Sequence, residues 1–437
     1  MENTFLSKNK IMNIEAKEMV YILFALLPAF ILMNKYPYFT IFSIITMLLM
    51  SVYYFIRNKE ISRQHLRADI LLGILALYLL FSYFISGQPF MNLFDYWFIR
   101  YDGNFFFSYS PFIILAVPFI SYRKAAKIYF KFLFIAFTFF AVIGFLEYIN
   151  DISSFMVRID DIYVGPMFIA LNNSHNATGS VYSIAGIFAF AFFLESQKKE
   201  KIAYGFISIL FFIAIITTKS RGSMVAFAIG IFFLLLFGSG SLVKFLRNFF
   251  IIILVAVPFV FITGTFVRVM QIFHIYDLSA LTRFSLWDKA ILLFKQSPIA
   301  GIGFARYNDV PWNFDKVPLS GNPGIFAMYT SGNFIFNDTN AHSSYLHFLA
   351  ETGIIGLVLA MAFWIFCLVI IYKAYRKTGD SFSRKVYLSV AGGIITLFML
   401  SVTENYMTAP TVMVCLSLAT SLAIGMSGRK EVNAGGI

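Results

Sequence analysis

GIIGLVLAMAFWIFCLVIIY, residues 353–372, runs for twenty positions without a charged side chain and stops against Lys373, Arg376 and Lys377. A helix of about twenty residues rises about 30 Å, the depth of the hydrocarbon core of a bilayer. In lipid every backbone N–H and C=O must be bonded within the protein, so a run of this kind is stable only as a helix. Eleven further apolar runs repeat the pattern, near 19–33, 38–56, 69–86, 105–120, 128–146, 180–194, 202–217, 223–238, 248–264, 386–402 and 409–426. They predict an all-α polytopic membrane bundle of about twelve transmembrane helices, read as one integral membrane domain over residues 1–437.

Composition points the same way. Of the 437 residues 59% are hydrophobic and 13% charged, and the mean hydropathy is +0.77, so lipid and not water is the main solvent. The net charge of +12 is dispersed in short clusters between apolar runs, which excludes a nucleic-acid surface and serves orientation instead. Lys8, Lys10 and Lys17 precede the first run with no small-residue cleavage site after it, so that run is expected to stay as a membrane helix. Cys367 and Cys415 both lie inside apolar runs, which excludes a disulfide framework and a zinc site of ordinary spacing.

Basic residues alternate with one parity. The clusters Arg57 to Arg67, Arg123 to Lys131, Lys198 to Lys201, Lys244 with Arg247, Lys373 to Lys385, and Arg429 with Lys430 fall on one side, which is the cytoplasmic one. Both termini are therefore expected in the cytoplasm. The other set is sparse in Lys and Arg and includes the longest aqueous segment, 265–349, between spans nine and ten. Within it Ser279 to Gln296 carries Leu281, Phe284, Trp287, Ile291 and Phe294 at helical spacing, the pattern of an amphipathic helix. Gly321 to Asn340 reads as irregular loop.

Ionisable residues are scarce in the middle of the spans, which argues against a transporter or channel, because those place Asp, Glu, Lys or His at mid-membrane depth. Chemistry is expected instead where the outward loops meet the helix ends. Arg221, in the tight turn Thr217 to Ser223, offers a guanidinium at a helix start and could hold an anion; the alternative is an interfacial arginine reaching lipid phosphates. Arg283 stands near the start of the amphipathic helix, a position where arginine is ordinarily solvated. If Thr339 or Asn340 caps the tenth span, His342 falls in its first turn, where the positive end of the helix keeps the ring neutral and suited to accept a proton. The alternative is a satisfied interfacial histidine. His347 is displaced from His342 by about 140° and reads as a packed or interfacial histidine, and Glu351 faces the opposite side. Asp160 and Asp161 are the only adjacent acidic pair outside, so no metal site is expected.

These residues also carry a resemblance. His342-Ser343, nine residues, then Gly353-x-x-Gly356, together with Ser220-Arg221-Gly222, Arg283 to Trp287 and Ser297-Pro298-Ile299-Ala300-Gly301-Ile302-Gly303, resembles the bacterial O-antigen ligase and O-antigen polymerase family. The likeness is close over about 170–370 and otherwise one of topology. It implies a GT-C-like bundle in the bacterial inner membrane with its active site facing the periplasm. It also implies an inverting, metal-independent glycosyltransferase without cofactors, whose donor is a glycan on undecaprenyl diphosphate. Arg221 and Arg283 would bind the diphosphate and His342 would activate the acceptor hydroxyl. A ligase would use the lipid A-core of lipopolysaccharide as acceptor, a polymerase another lipid-linked repeat, with a chain-length regulator as a further partner. The histidine motif favours the ligase. The near balance of Arg268, Arg283, Lys289, Lys295, Arg306 and Lys316 against Asp277, Asp288, Asp309, Asp315 and Asp338 does not favour a phosphate-rich acceptor. A lipid-linked glycan flippase is the alternative from another class.

Overall fold

The computed structural model describes residues 16–32, 37–58, 61–87, 104–118, 120–149, 158–159, 162–163, 168–169, 174–262, 266, 278–312 and 340–428. Thirteen α-helices are seen among them: α1 Ala16–Leu32, α2 Pro37–Asn58, α3 Arg63–Ile85, α4 Asn104–Leu115, α5 Tyr122–Ile149, α6 His175–Glu195, α7 Lys198–Thr217, α8 Arg221–Gly238, α9 Leu242–Ile262, α10 Leu278–Gln296, α11 Ser344–Lys377, α12 Ser381–Thr403 and α13 Pro410–Ser427. An antiparallel ribbon of two residues per strand, β1 Arg158–Ile159 and β2 Ile162–Tyr163, lies between α5 and α6. The fold is thus a polytopic helical bundle. Each apolar run of the sequence coincides with a helix, α1 to α9 and α11 to α13. Eight of these, α3, α5 to α8 and α11 to α13, are long and apolar enough to cross a membrane.

α13 lies at the centre, buried along nearly its whole length, and α6 and α12 are almost as enclosed. One continuous cluster of buried side chains runs from Val20 in α1 to Met426 in α13. Helices at the rim present Leu77, Phe139, Phe206 and Leu254 outward, as lipid-facing positions require.

The two sets of loops lie at opposite ends. At the basic end the Arg384 guanidinium meets Glu195 through two bonds of 2.8 and 2.9 Å, Arg123 meets Asp380 at 2.6 Å, Lys385 meets Glu200 at 2.6 Å, and Lys124 pairs with Glu18. Across the bundle the starts of α6, α8 and α11 gather around the end of α12. Two carboxyls lie deeper in helices than the hydropathic runs indicate. α3 begins at Arg63, which puts Asp69 nearly two turns inside, and α11 begins at Ser344, which puts Glu351 likewise.

α10 forms where expected, and of the two surfaces open to its apolar stripe, bundle or interface, Phe284 and Ile291 are not turned to the bundle. Ser285, Leu286, Lys289, Ala290 and Leu293 are the buried positions, whereas Phe284 and Ile291 are 39% and 40% exposed. The reason is a polar anchor that hydropathy cannot register. The Lys289 Nζ donates to the Tyr307 carbonyl at 2.8 Å and lies 4.1 Å from the centre of its ring, which turns the large apolar side chains outward toward the interface.

α11 is broken at Gly353, whose φ of 62° and ψ of −167° only glycine adopts readily. The break removes helical hydrogen bonds, and the segment after α10 supplies replacements. Ile302 and Gly303 donate N–H to the carbonyls of Ala350 and Glu351 at 3.0 and 2.9 Å, and Ile354 donates to Pro298 at 3.0 Å. This exchange needs backbone against backbone. A Cβ on Gly353 would lie 2.2 Å from the Ile299 oxygen, and one on Gly301 (φ 73°) would lie 2.2 Å from the Glu351 carbonyl. Gly353 and Gly301 therefore form a docking joint between residues 298–303 and α11.

Gly353→Ala is expected to cost at least about 1–3 kcal/mol from the backbone strain alone, read as a lower melting temperature of purified protein in nanodiscs. Gly73→Ala, which meets open space in the middle of α3, should be neutral or stabilising by up to about 1 kcal/mol. Equal melting of the two variants would show that the joint does not hold α11.

Candidate functional site

α12 ends at Thr403, and Glu404 follows in an extended conformation at the negative end of that helix, an unfavourable place for a carboxylate. It is held there by other elements. Arg283, from α10, donates through Nη2 to Glu404 Oε1 at 2.6 Å and through Nε to the Thr403 carbonyl at 3.2 Å. His342 donates from Nδ1 to Glu404 Oε2 at 2.6 Å, since a carboxylate can only accept. Asn176, in the first turn of α6, reaches Oε1 at 3.5 Å. Burial alone would raise the Glu404 carboxyl. The charges and hydrogen bonds of His342 and Arg283 outweigh it and hold the group below its ordinary value.

His342 does not sit in the first turn of α11. Ser343 is the N-cap, accepting from Leu346 N–H with its side chain, and His342 precedes it with φ of 45°. Its own N–H bonds to Asn340 Oδ1 at 2.8 Å, so Asn340 supports the turn and does not cap the helix; Thr339 lies outside the described residues. The proposed control of the ring by the helix end is thus replaced by a carboxylate, which keeps hydrogen on Nδ1, so that the lone pair of the neutral form is on Nε2. The α11 start is tied to the same place: Ser344 N–H and Oγ both reach the Glu404 carbonyl at 3.2 Å, and Ser344 Oγ accepts from Met407 N–H at 3.1 Å.

Arg221 is the first residue of α8, after Lys219 with φ of 57° and Ser220. The helix start rests on the end of α12, because a Cβ on Gly222 would lie 2.6 Å from Thr403 Oγ1. Of the three residues singled out from sequence, Arg283 and His342 meet at Thr403 and Glu404, and Arg221 precedes Gly222, which packs against Thr403. Arg283 is held by these bonds with its side chain 19% exposed. His342 is 28% exposed.

Behind this site stands a second polar cluster. Glu351 accepts from the N–H groups of Ala305 at 3.0 Å and Tyr307 at 2.8 Å and lies 3.4 Å from His347 Nε2. His347, 1% exposed, takes the Ala341 N–H on Nδ1 at 3.5 Å, so of the two readings, packed or interfacial, it is packed beneath the site. Lys289 is pushed down to about 8 by burial, against the opposing pull of Glu351 and Asp309. Together they fix α10, with Arg283, against α11, with His342.

Glu404, Asn176, His175 and Glu351 were not singled out in the sequence as site-building residues. Glu404 is 62 positions from His342 in no shared motif; its one signal is being the sole acid in the outward turn 404–409. Among the described residues no cluster of three His, Cys, Asp or Glu side chains could hold a metal, and Asp160 and Asp161 lie outside them.

Fold and site together describe a multi-pass helical membrane protein in which Arg283, His342 and Glu404 meet at the end of the bundle opposite its basic loops. Residues 206–361 match the family described as O-antigen ligase. The match contains Arg221, Arg283 and His342, whereas Glu404, His175 and Asn176 lie beyond it. It supports activity of the O-antigen ligase or polymerase type. No curated protein matches the chain.

Because the Glu404 carboxyl is held low in the folded chain, the stability its pairing adds is complete above the ordinary value of 4.5 and disappears as the pH falls through the lower folded value. Glu404→Gln should melt below the wild type near neutrality, and the gap should narrow progressively as the pH falls below the ordinary value of 4.5. A gap that persists unchanged in strong acid would mean the carboxylate charge is not what joins α10, α11 and α12.

Proposed function

We propose that the protein is an inverting, metal-independent glycosyltransferase that moves a glycan from undecaprenyl diphosphate to an acceptor sugar at the periplasmic face of the inner membrane, as an O-antigen ligase does with lipid A-core. The observation that carries this reading is the bonding of both Arg283 and His342 to Glu404, with the α8 start that holds Arg221 packed through Gly222 on Thr403. In this reading the whole chain works as one membrane domain, both termini are cytoplasmic, and 265–349 is periplasmic, consistent with basic loops at the end opposite the site.

The chemistry follows from the groups present. His342 Nε2 takes the proton of the acceptor hydroxyl while its oxygen bonds to the anomeric carbon of the donor sugar. The bond from that carbon to the diphosphate oxygen breaks on the opposite face, so configuration inverts. The electron pair leaves on the diphosphate, whose growing charge Arg221 and Arg283 stabilise. Glu404 holds the ring in the useful tautomer and faces the imidazolium as it forms, the same service a carboxylate performs for histidine in hydrolases. No step calls for a cation.

His342→Ala should lower turnover by about two to four orders of magnitude with donor affinity retained. Arg221→Ala and Arg283→Ala should weaken donor binding, and Lys replacements should restore it only in part because the planar fork is lost. Transfer by the purified enzyme should continue in EDTA. Near-normal turnover of His342→Ala, or an EDTA loss reversed by magnesium or manganese, would overturn the mechanism. Glycans of a deletion strain separate the acceptors: polymer made but absent from the lipid core marks a ligase, single repeats on the core a polymerase.

A further inference from the structure

The first turn of α6 touches both halves of the site, and neither contact is needed to build a membrane helix. His175 Nδ1 lies 3.1 Å from the carbonyl of Thr218, the residue from which the chain turns through Lys219 and Ser220 to Arg221. One position on, Asn176 reaches Glu404. A carbonyl can only accept, so the ring must carry hydrogen on Nδ1 and donate it. The α6 start is itself closely fitted there. Ser174 caps it through Ala177 N–H, and a Cβ on Gly179 would lie 2.8 Å from both Thr218 Oγ1 and Ser223 Oγ. Ser180 Oγ bonds Ser223 Oγ at 3.1 Å, and Ser183 Oγ donates to the Ser223 carbonyl at 3.1 Å. The turn that presents Arg221 is thus gripped from α6 on one side and rests on Thr403 on the other. Lys219, with its left-handed backbone, gives that turn a conformation that most residues avoid, and the grip of His175 falls on the position just before it.

We infer that His175 is a positioning residue for Arg221, fixing the Thr218–Arg221 turn so that the guanidinium meets the donor diphosphate in one orientation. The inference rests on the reading of Arg221 as a diphosphate ligand. It concerns donor binding, since His175 acts on the turn and leaves the His342–Glu404 pair in place.

The test measures affinity for undecaprenyl diphosphate itself, with transfer kinetics, in nanodiscs. An Asn side chain can put an N–H near the position of Nδ1, whereas Gln puts it nearer that of Nε2. His175→Phe and His175→Gln are expected to weaken undecaprenyl diphosphate binding about tenfold with kcat and acceptor KM little changed, and His175→Asn to stay within about twofold of wild type. In an Arg221→Ala background His175→Gln should cause no further loss, because the turn then presents nothing. A merely structural role would lower stability and every kinetic constant alike, and would add to Arg221→Ala. Equal affinities for the Asn and Gln variants, a loss confined to kcat, or additive effects with Arg221→Ala would each overturn the inference. If Arg221→Ala alone leaves affinity unchanged, the diphosphate reading of Arg221 fails and this inference with it. If Arg221→Ala weakens binding and the His175 variants do not, only this inference fails.

Discussion

The carboxylate of Glu404 is the point on which the arrangement turns. It stands at the C-terminal end of a helix, where the backbone repels negative charge, and it is only 15% exposed. Such a group is tolerable only when donors surround it. Arg283, His342 and Asn176 come from α10, the turn before α11, and α6, so satisfying one charge draws three elements to one place. The same bonds select the histidine tautomer and orient the guanidinium, and stability and chemistry are served by one set of contacts.

Convergence also needs the elements to have fixed lengths and angles, which the break at Gly353 provides. A continuous α11 would leave the segment after α10 without backbone partners. The broken one exposes two carbonyls and two N–H groups that residues 298–303 complete. Glu351 then secures the following residues through two backbone N–H bonds, and Lys289 secures α10 to Tyr307. Irregular backbone at membrane depth is admissible when it is enclosed by protein in this way. The polar cluster beneath the site is therefore scaffold, and its histidine, His347, is a structural one.

The helices were legible because hydropathy is a long-range signal: twenty apolar residues have one outcome in lipid, and all twelve runs became helices. Arg221, Arg283 and His342 stood out because each departs from its local setting or matches a family motif. What sequence could not show was pairing between remote positions. Glu404 lies in a short turn with no spacing relation to His342, and which side of α10 meets the bundle was left open because the anchor is a buried lysine, which periodicity counts as polar. The position of His342 one residue before the cap was likewise hidden, since Asn340 and Ser343 are both good capping residues and only the three-dimensional turn shows which one serves.

The most direct measurement is a structure of the protein in nanodiscs with undecaprenyl-diphosphate-linked glycan bound. The diphosphate is predicted to lie within hydrogen-bonding distance of Arg221 and Arg283, with His342 Nε2 facing the anomeric carbon from the side opposite the leaving oxygen and Nδ1 still on Glu404. A diphosphate bound away from both arginines, or a donor whose anomeric carbon is out of reach of His342, would contradict the account.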